Sequence, residues 1–271
     1  MYGPERLQLR LKQSDAAKEA YAEWPKAQPQ RAGETFASTT EAFSKEIEAI
    51  ESRGKIPFLK EHIVTVVKQD IMIDWIRSGQ LPSLSANPTY IPDRVLKTAS
   101  PVILTRHPAK VIPSLYRTML PLAKLQPGDE DFRVLCSVRW TRIMWDFFAA
   151  HPAAREPILI DADDLLVDAK AHVPKICGLL GISADGVEYS WDAVPKDYWP
   201  DDSLGITRVF IGSLLASTGL MQAAKAGAVD IAVETAKWEK EFGPEAAKGL
   251  RARVDAEMED YEYLMQFKLS A

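Results

Sequence analysis

Apolar positions recur at helical spacing through most of the chain, and three short apolar runs interrupt that rhythm. The first 30 or so residues are polar and Ala-rich, with weak helical patterning and a break from Pro25 to Gln30. Ser38-Thr39-Thr40-Glu41 then has the form of a capping box. Phe43, Ile47 and Ile50 follow at helical spacing, and Gly54 is a fitting stop. The first apolar run, Ile56-Pro57-Phe58-Leu59, reads as a compact buried strand. Ile71, Trp75 and Ile76 mark a helix ended by Gly79. Residues 80–92, with Pro82, Pro88 and Pro92, read as a loop leading to a short helix.

The second run, Val102-Ile103-Leu104-Thr105, reads as a short buried strand that breaks at Arg106-His107-Pro108. Pro108 suits the first turn of a helix, where its missing N–H would be unpaired anyway. That helix should run towards Ala123, with Pro113 kinking it or delaying its start. Asp131 to Ala150 reads as one long aromatic helix carrying Phe132, Trp140, Trp145, Phe147 and Phe148. The third run, Pro157 to Asp161, is a strand entering the acidic turn Ala162-Asp163-Asp164-Leu165-Leu166 and a helix closing at Gly181. From about residue 205 onward the pattern is helical. Strands alternating with helices predict an α/β fold, a parallel sheet flanked by helices. Without an internal repeat or a long linker, residues 1–271 are expected to form a single domain. It should be helical over residues 1–54, hold its motifs in a core over 55–182 and be helical again over 183–271.

Composition changes this picture little. The 271 residues are 46% hydrophobic and 26% charged, and that length supports one large α/β domain with a substantial core, or two small ones. The net charge of -5 comes from interspersed acids and bases, so no basic stripe points to nucleic acid. No apolar run approaches the ~20 residues of a membrane span, and the N-terminus lacks a signal-like apolar stretch. The two cysteines, Cys136 and Cys177, fall in apolar helical patterns, which predicts reduced core thiols and a cytoplasmic home. Scattered histidines and cysteines give no metal signature.

The chemistry gathers at the ends of the apolar runs, where parallel sheets place their ligand groups. At the Arg106 corner, free N–H groups at the helix start and the helix dipole favour an anion. Arg106 and Ser114, eight residues on, bring a guanidinium fork and a hydroxyl to one phosphate. Lys60-Glu61-His62 ends the first run. A neutral imidazole at His62 can take a proton near neutral pH, and the Lys60 ammonium can stabilise developing negative charge. Asp161, Asp163 and Asp164 read alone suggest either a Mg²⁺ site or, more commonly, a helix cap. Trp75, Trp140, Trp145 and Trp199 are candidates for a pocket lining, with core the commoner role for Trp140 and Trp145.

Three of these segments carry a resemblance. Lys60-Glu61-His62 is similar to the Lys-Thr-His of sulfotransferases. Arg106-His107-Pro108 followed by Ser114-Leu115-Tyr116 resembles the place where that family holds the 3′-phosphate of PAPS (3′-phosphoadenosine 5′-phosphosulfate). Asp163-Asp164-Leu165, with the later Leu180-Gly181-Ile182, resembles the strand-to-helix segment Tyr-Glu-Asp-Leu, and Ala162 stands where the family has an adenine-contacting Tyr. The order of the motifs is that of fungal sulfotransferase-like proteins of the P-loop class, and Ser217-Thr218-Gly219 also looks like that subgroup.

The resemblance implies PAPS as co-substrate, His62 as general base and Lys60 as stabiliser of the leaving oxygen. It implies Arg106 and Ser114 as the 3′-phosphate clamp, with Glu61, Asp163 and Asp164 as further candidates and no metal. The Gly/Ser-rich loop for the 5′-phosphosulfate does not occur in the sequence, so the first strand and phosphate loop are expected to be absent. That leaves a sheet to be completed by a partner chain or a second copy, or rebuilt. The leading expectation is sulfuryl transfer to a hydroxyl or amine of a small-molecule acceptor, with no nucleic-acid or membrane partner. The alternatives are nucleotide-free acid–base chemistry on the same scaffold (cyclase, isomerase or dehydratase) and a non-catalytic binding or assembly protein.

Overall fold

The computed structural model describes residues 26, 29, 32–81, 83, 86–151, 155–199, 206–220 and 229–270. The weak helix expected in the first 30 residues and most of its Pro25–Gln30 break lie outside them. In chain order the elements are α1 (Phe36–Glu51), α2 (Ile63–Val66), α3 (Gln69–Ser78), α4 (Asp93–Thr98), β1 (Val102–Thr105), α5 (Pro108–Ala123), α6 (Glu130–Cys136) and α7 (Arg139–Ala150). β2 (Ile158–Asp161), α8 (Ala162–Val167), α9 (Ala169–Leu180), a 3₁₀ turn (Lys196–Tyr198), α10 (Ile206–Leu215), α11 (Ile231–Phe242) and α12 (Pro244–Met265) complete it. The result is a helix-rich α/β chain with a small parallel sheet. Its contacts divide into two compact units, residues 1–101 with 125–157, and residues 102–124 with 158–271.

In the first unit, the cap of α1 lies three residues before the expected one. Thr35 is the N-cap: its hydroxyl accepts from Ser38 N at 3.0 Å, while Ser38 Oγ accepts from Thr35 N at 2.9 Å. Ser38 thus holds the reciprocal position of the box. The added turn carries Phe36, whose ring stacks on Tyr90 at 3.9 Å. The Tyr90 hydroxyl in turn accepts from Gln69 N, which begins α3. Gly79, at φ 70°, ends α3 in the left-handed conformation that glycine alone adopts without strain.

Two expectations for this unit need correction. Ile56–Leu59 is not a strand but irregular chain, with Ile56 87% and Phe58 92% exposed. No ladder hydrogen bond reaches it among the described residues, so its β-like composition has no partner to pair with. Asp131–Ala150 is two helices, α6 and α7, because Ser137 is extended at ψ 128° and its hydroxyl accepts from Arg139 N. A serine side chain that satisfies an N–H of the next turn competes with helix continuation. Trp140 Nε1 donates to Val134 O across that break at 2.7 Å, and the indole, with Phe132, Ile143 and Phe147, fills the core.

In the second unit β1 and β2 are parallel, with Val102 opposite Ile158 and Thr105 opposite Asp161. β2 is buried throughout, and its other side takes a backbone bond from Leu269 N to Leu159 O at 2.8 Å. β1 is buried on one face only: Ile103 and Thr105 face the core while Val102 and Leu104 are exposed. No second neighbour of β1 occurs among the described residues, and period-2 alternation then leaves one face in solvent. Pro113 neither delays α5 nor interrupts it; the helix is continuous from Pro108 to Ala123, with Pro113 buried. The carbonyl deprived by Pro113 is that of Ala109, in the first turn. α5 packs on α11 and α12, where Trp238, Leu250, Val254 and Leu264 are buried. Cys136 and Cys177 are buried free thiols, each in its own unit. No described helix is long and apolar enough to cross a membrane.

Candidate functional site

The sequence candidates divide between the units: Lys60, Glu61 and His62 in the first, Arg106, Ser114, Asp163 and Asp164 in the second. Lys60-Glu61-His62 are exposed and lead into the short helix α2, with His62 at its N-cap position. The Lys60 ammonium donates to His62 Nε2 at 2.9 Å, which puts the ring proton on Nδ1. The Glu61 carboxylate accepts from His62 N (3.1 Å) and Thr65 Oγ1 (2.6 Å). Desolvation and then the Lys60 charge hold the His62 pKa below the ordinary histidine value, against an opposing pull from Glu61. Near neutral pH the imidazole is therefore an unprotonated base beside a fixed cation.

In the second unit, the register that sets Thr105 against Asp161 brings the turns after both strands side by side. Arg106 leaves β1 and Asp163 lies in the first turn of α8. Arg106 Nε donates to Asp163 Oδ1 at 2.9 Å, and Lys110 Nζ to Asp163 Oδ2 at 2.9 Å. The two terminal nitrogens of Arg106 carry no hydrogen bond among the described residues. Burial pushes the Asp163 carboxyl up, but the bonds from Lys110 and Arg106 outweigh it and hold the pKa below the usual range. Asp163 is placed by its own backbone N–H, which donates to the buried carboxylate of Asp161 at 2.9 Å. Asp161 also accepts from the Tyr261 hydroxyl at 2.8 Å, and burial followed by that bond drives the phenol pKa strongly up. Asp164 pairs with Lys268 at 2.6 Å.

The expected free N–H groups at the start of α5 are not free. His107 caps the helix with its own ring, Nδ1 accepting from Ala109 N at 3.1 Å, while Lys110 N and Val111 N donate to His107 O. An imidazole two residues ahead of the amide reaches it as an Asn or Asp cap does. An anion at this corner would meet side-chain cations and the helix dipole. Ser114 is exposed, its hydroxyl without a bond among the described residues, one helical turn beyond Lys110 and on the same strip.

Lys110, His107, Tyr261 and Lys268 are not among the sequence candidates. Lys110 is visible in the chain only as the midpoint of the spacing from Arg106 to Ser114. Tyr261 and Lys268 carry no local signal, since each meets its carboxylate about a hundred residues away in the chain. Trp140 and Trp145 are core, and Ser217 anchors a loop, its hydroxyl accepting from Trp191 Nε1 at 3.0 Å.

Sequence comparison agrees with the family resemblance. The chain is 28% identical over 278 residues to sulfotransferase ppzF of Metarhizium majus (strain ARSEF 297), covering 92% of this chain and 80% of that protein. It is 28% identical over 275 residues, with the same coverage, to sulfotransferase ppzF of Metarhizium rileyi (strain RCEF 4871). No family model matches the chain, and no solved structure does. At the level of the family, the chain is similar to sulfotransferases, and the relatives it resembles are fungal.

Proposed function

We propose that this protein transfers a sulfuryl group from PAPS to a hydroxyl or amine of a small acceptor. The observation that carries the reading is the Lys60–His62 pair, an unprotonated imidazole and an ammonium 2.9 Å apart, in a chain similar to sulfotransferases over 92% of its length. The acceptor O–H or N–H attacks sulfur, its proton passes to His62, and the bond from sulfur to the 5′-phosphate oxygen breaks. Lys60 turns from His62 to the leaving oxygen, which frees Nε2 and balances the charge that oxygen gains. Arg106 offers its two free terminal nitrogens to the 3′-phosphate, with the Ser114 hydroxyl on the helix that follows. Positioning and electrostatics supply the rate, as in phosphoryl transfer.

The test is calorimetric titration with 3′,5′-adenosine bisphosphate, followed by a screen of phenols, alcohols and amines for PAPS-dependent sulfation. The expected result is nucleotide binding that Arg106→Ala abolishes and acceptor sulfation that His62→Ala abolishes. A folded protein that binds no bisphosphate overturns the reading and leaves the same pair for nucleotide-free proton transfer.

A further inference from the structure

Asp163 joins two cations that the described residues leave otherwise uncommitted. Its side chain is 8% exposed, whereas those of Arg106 and Lys110 are 39% and 33% exposed. Each cation gives the carboxylate one N–H and keeps the rest: Arg106 both terminal nitrogens, Lys110 two of its three ammonium protons. The backbone that carries this carboxylate is anchored: its N–H donates to Asp161, and Asp161 accepts from the Tyr261 hydroxyl. Along the chain Arg106, Lys110 and Ser114 are four residues apart, and Lys110 and Ser114 lie on one strip of α5.

We infer that Lys110 is a third member of the clamp for the donor's 3′-phosphate, and that Asp163 is a positioning residue holding Lys110 and Arg106 at one separation. The inference rests on the PAPS reading above. A phosphate monoester carries nearly two negative charges near pH 7, and two cations meet that charge better than one guanidinium. A lysine and an arginine left free would lose side-chain freedom on binding; a shared buried carboxylate removes that cost beforehand. The same carboxylate places a negative charge beside the site. Positioning and charge repulsion therefore predict opposite effects of its removal.

The experiment is calorimetry of 3′,5′-adenosine bisphosphate and 5′-AMP binding to the wild type, Lys110→Gln, Lys110→Arg and Asp163→Asn, with thermal melting of each. Lys110→Gln should weaken the bisphosphate about tenfold, the loss of one charge-assisted contact, and leave 5′-AMP unchanged. Lys110→Arg should restore most of the loss. Asp163→Asn should also narrow the preference for bisphosphate over 5′-AMP by about tenfold, although it removes a negative charge. Bisphosphate binding unchanged in Lys110→Gln, or unchanged or tighter in a folded Asp163→Asn, overturns the inference while leaving the PAPS reading in place. A wild type that binds the bisphosphate no better than 5′-AMP overturns both.

Discussion

The Lys60 ammonium and His62 Nε2 are 2.9 Å apart, so the lone pair a general base needs is held by a neighbouring donor. A cation that close favours the neutral ring, and Glu61, bound to His62 N and Thr65 Oγ1, acts in the other direction. Lys60→Met removes a positive charge, so His62 should take its proton at higher pH than in the wild type. Glu61→Gln removes a negative charge, so His62 should take it at lower pH. Titration of the His62 ring by NMR reads both without any substrate. The wild-type midpoint is expected below about 6.5, the ordinary histidine value; a midpoint at or above it would sink the account. If His62 is the base, the acid limb of kcat/KM should move with the same signs.

The two faces of β1 should differ sharply in energy. Ile103 is 5% exposed and Leu104 55%. Ile103→Ala should cost about 2–5 kcal/mol through lost burial and a residual cavity. Leu104→Ala should stay within about 0.5 kcal/mol. Urea unfolding of both variants checks this, and equal costs would mean that the outer face of β1 is covered in solution.

Trp140 spans the break between α6 and α7, its Nε1 donating to Val134 O at 2.7 Å, and the residue is 1% exposed. Trp140→Phe keeps an aromatic ring but leaves the Val134 carbonyl without that donor, so a loss of about 1–3 kcal/mol is expected. Thermal or urea unfolding would show it. A neutral Trp140→Phe would mean that the break is held by Ser137 and its bond to Arg139 N alone.

How far the sequence can be read depends on the range of the interactions involved. The helices closed by Gly79 and Gly181, the Pro108 start of α5 and the strand after Pro157 are legible, because each is set by neighbours along the chain. Ile56–Leu59 misleads because strand formation needs a partner, and composition does not say whether one exists. Ser137 escapes notice because one hydroxyl inside a helical apolar pattern gives no periodic signal. Among the candidate residues, Lys60, His62 and Arg106 stand out from their spacing and order. The brace behind Arg106, from Asp163 through Asp161 to Tyr261, joins residues 98 positions apart (from 163 to 261) and leaves no pattern in the chain.

The His107 ring occupies an amide that the sequence suggests an anion would share. Nδ1 accepts from Ala109 N only while that nitrogen is unprotonated. Burial and then Lys110 hold the pKa of His107 below the ordinary value, while Asp161, Asp163 and Glu262 pull the other way. The folded-state pKa is thus the depressed one, so the stabilisation is present above the unfolded value of about 6.5 and lost as pH falls through the folded value. His107→Asn keeps a side-chain acceptor for the cap but cannot titrate. Its stability should match the wild type above about pH 7.5 and exceed it increasingly as pH falls below about 6.5. His107→Ala, without any cap, should lose about 1 kcal/mol at neutral pH. Urea unfolding across that pH range reads all three proteins. Parallel pH curves for wild type and His107→Asn would mean that protonating Nδ1 costs the fold nothing. Another acceptor would then have to take over Ala109 N when the ring becomes an imidazolium, because both of its nitrogens are donors in that form.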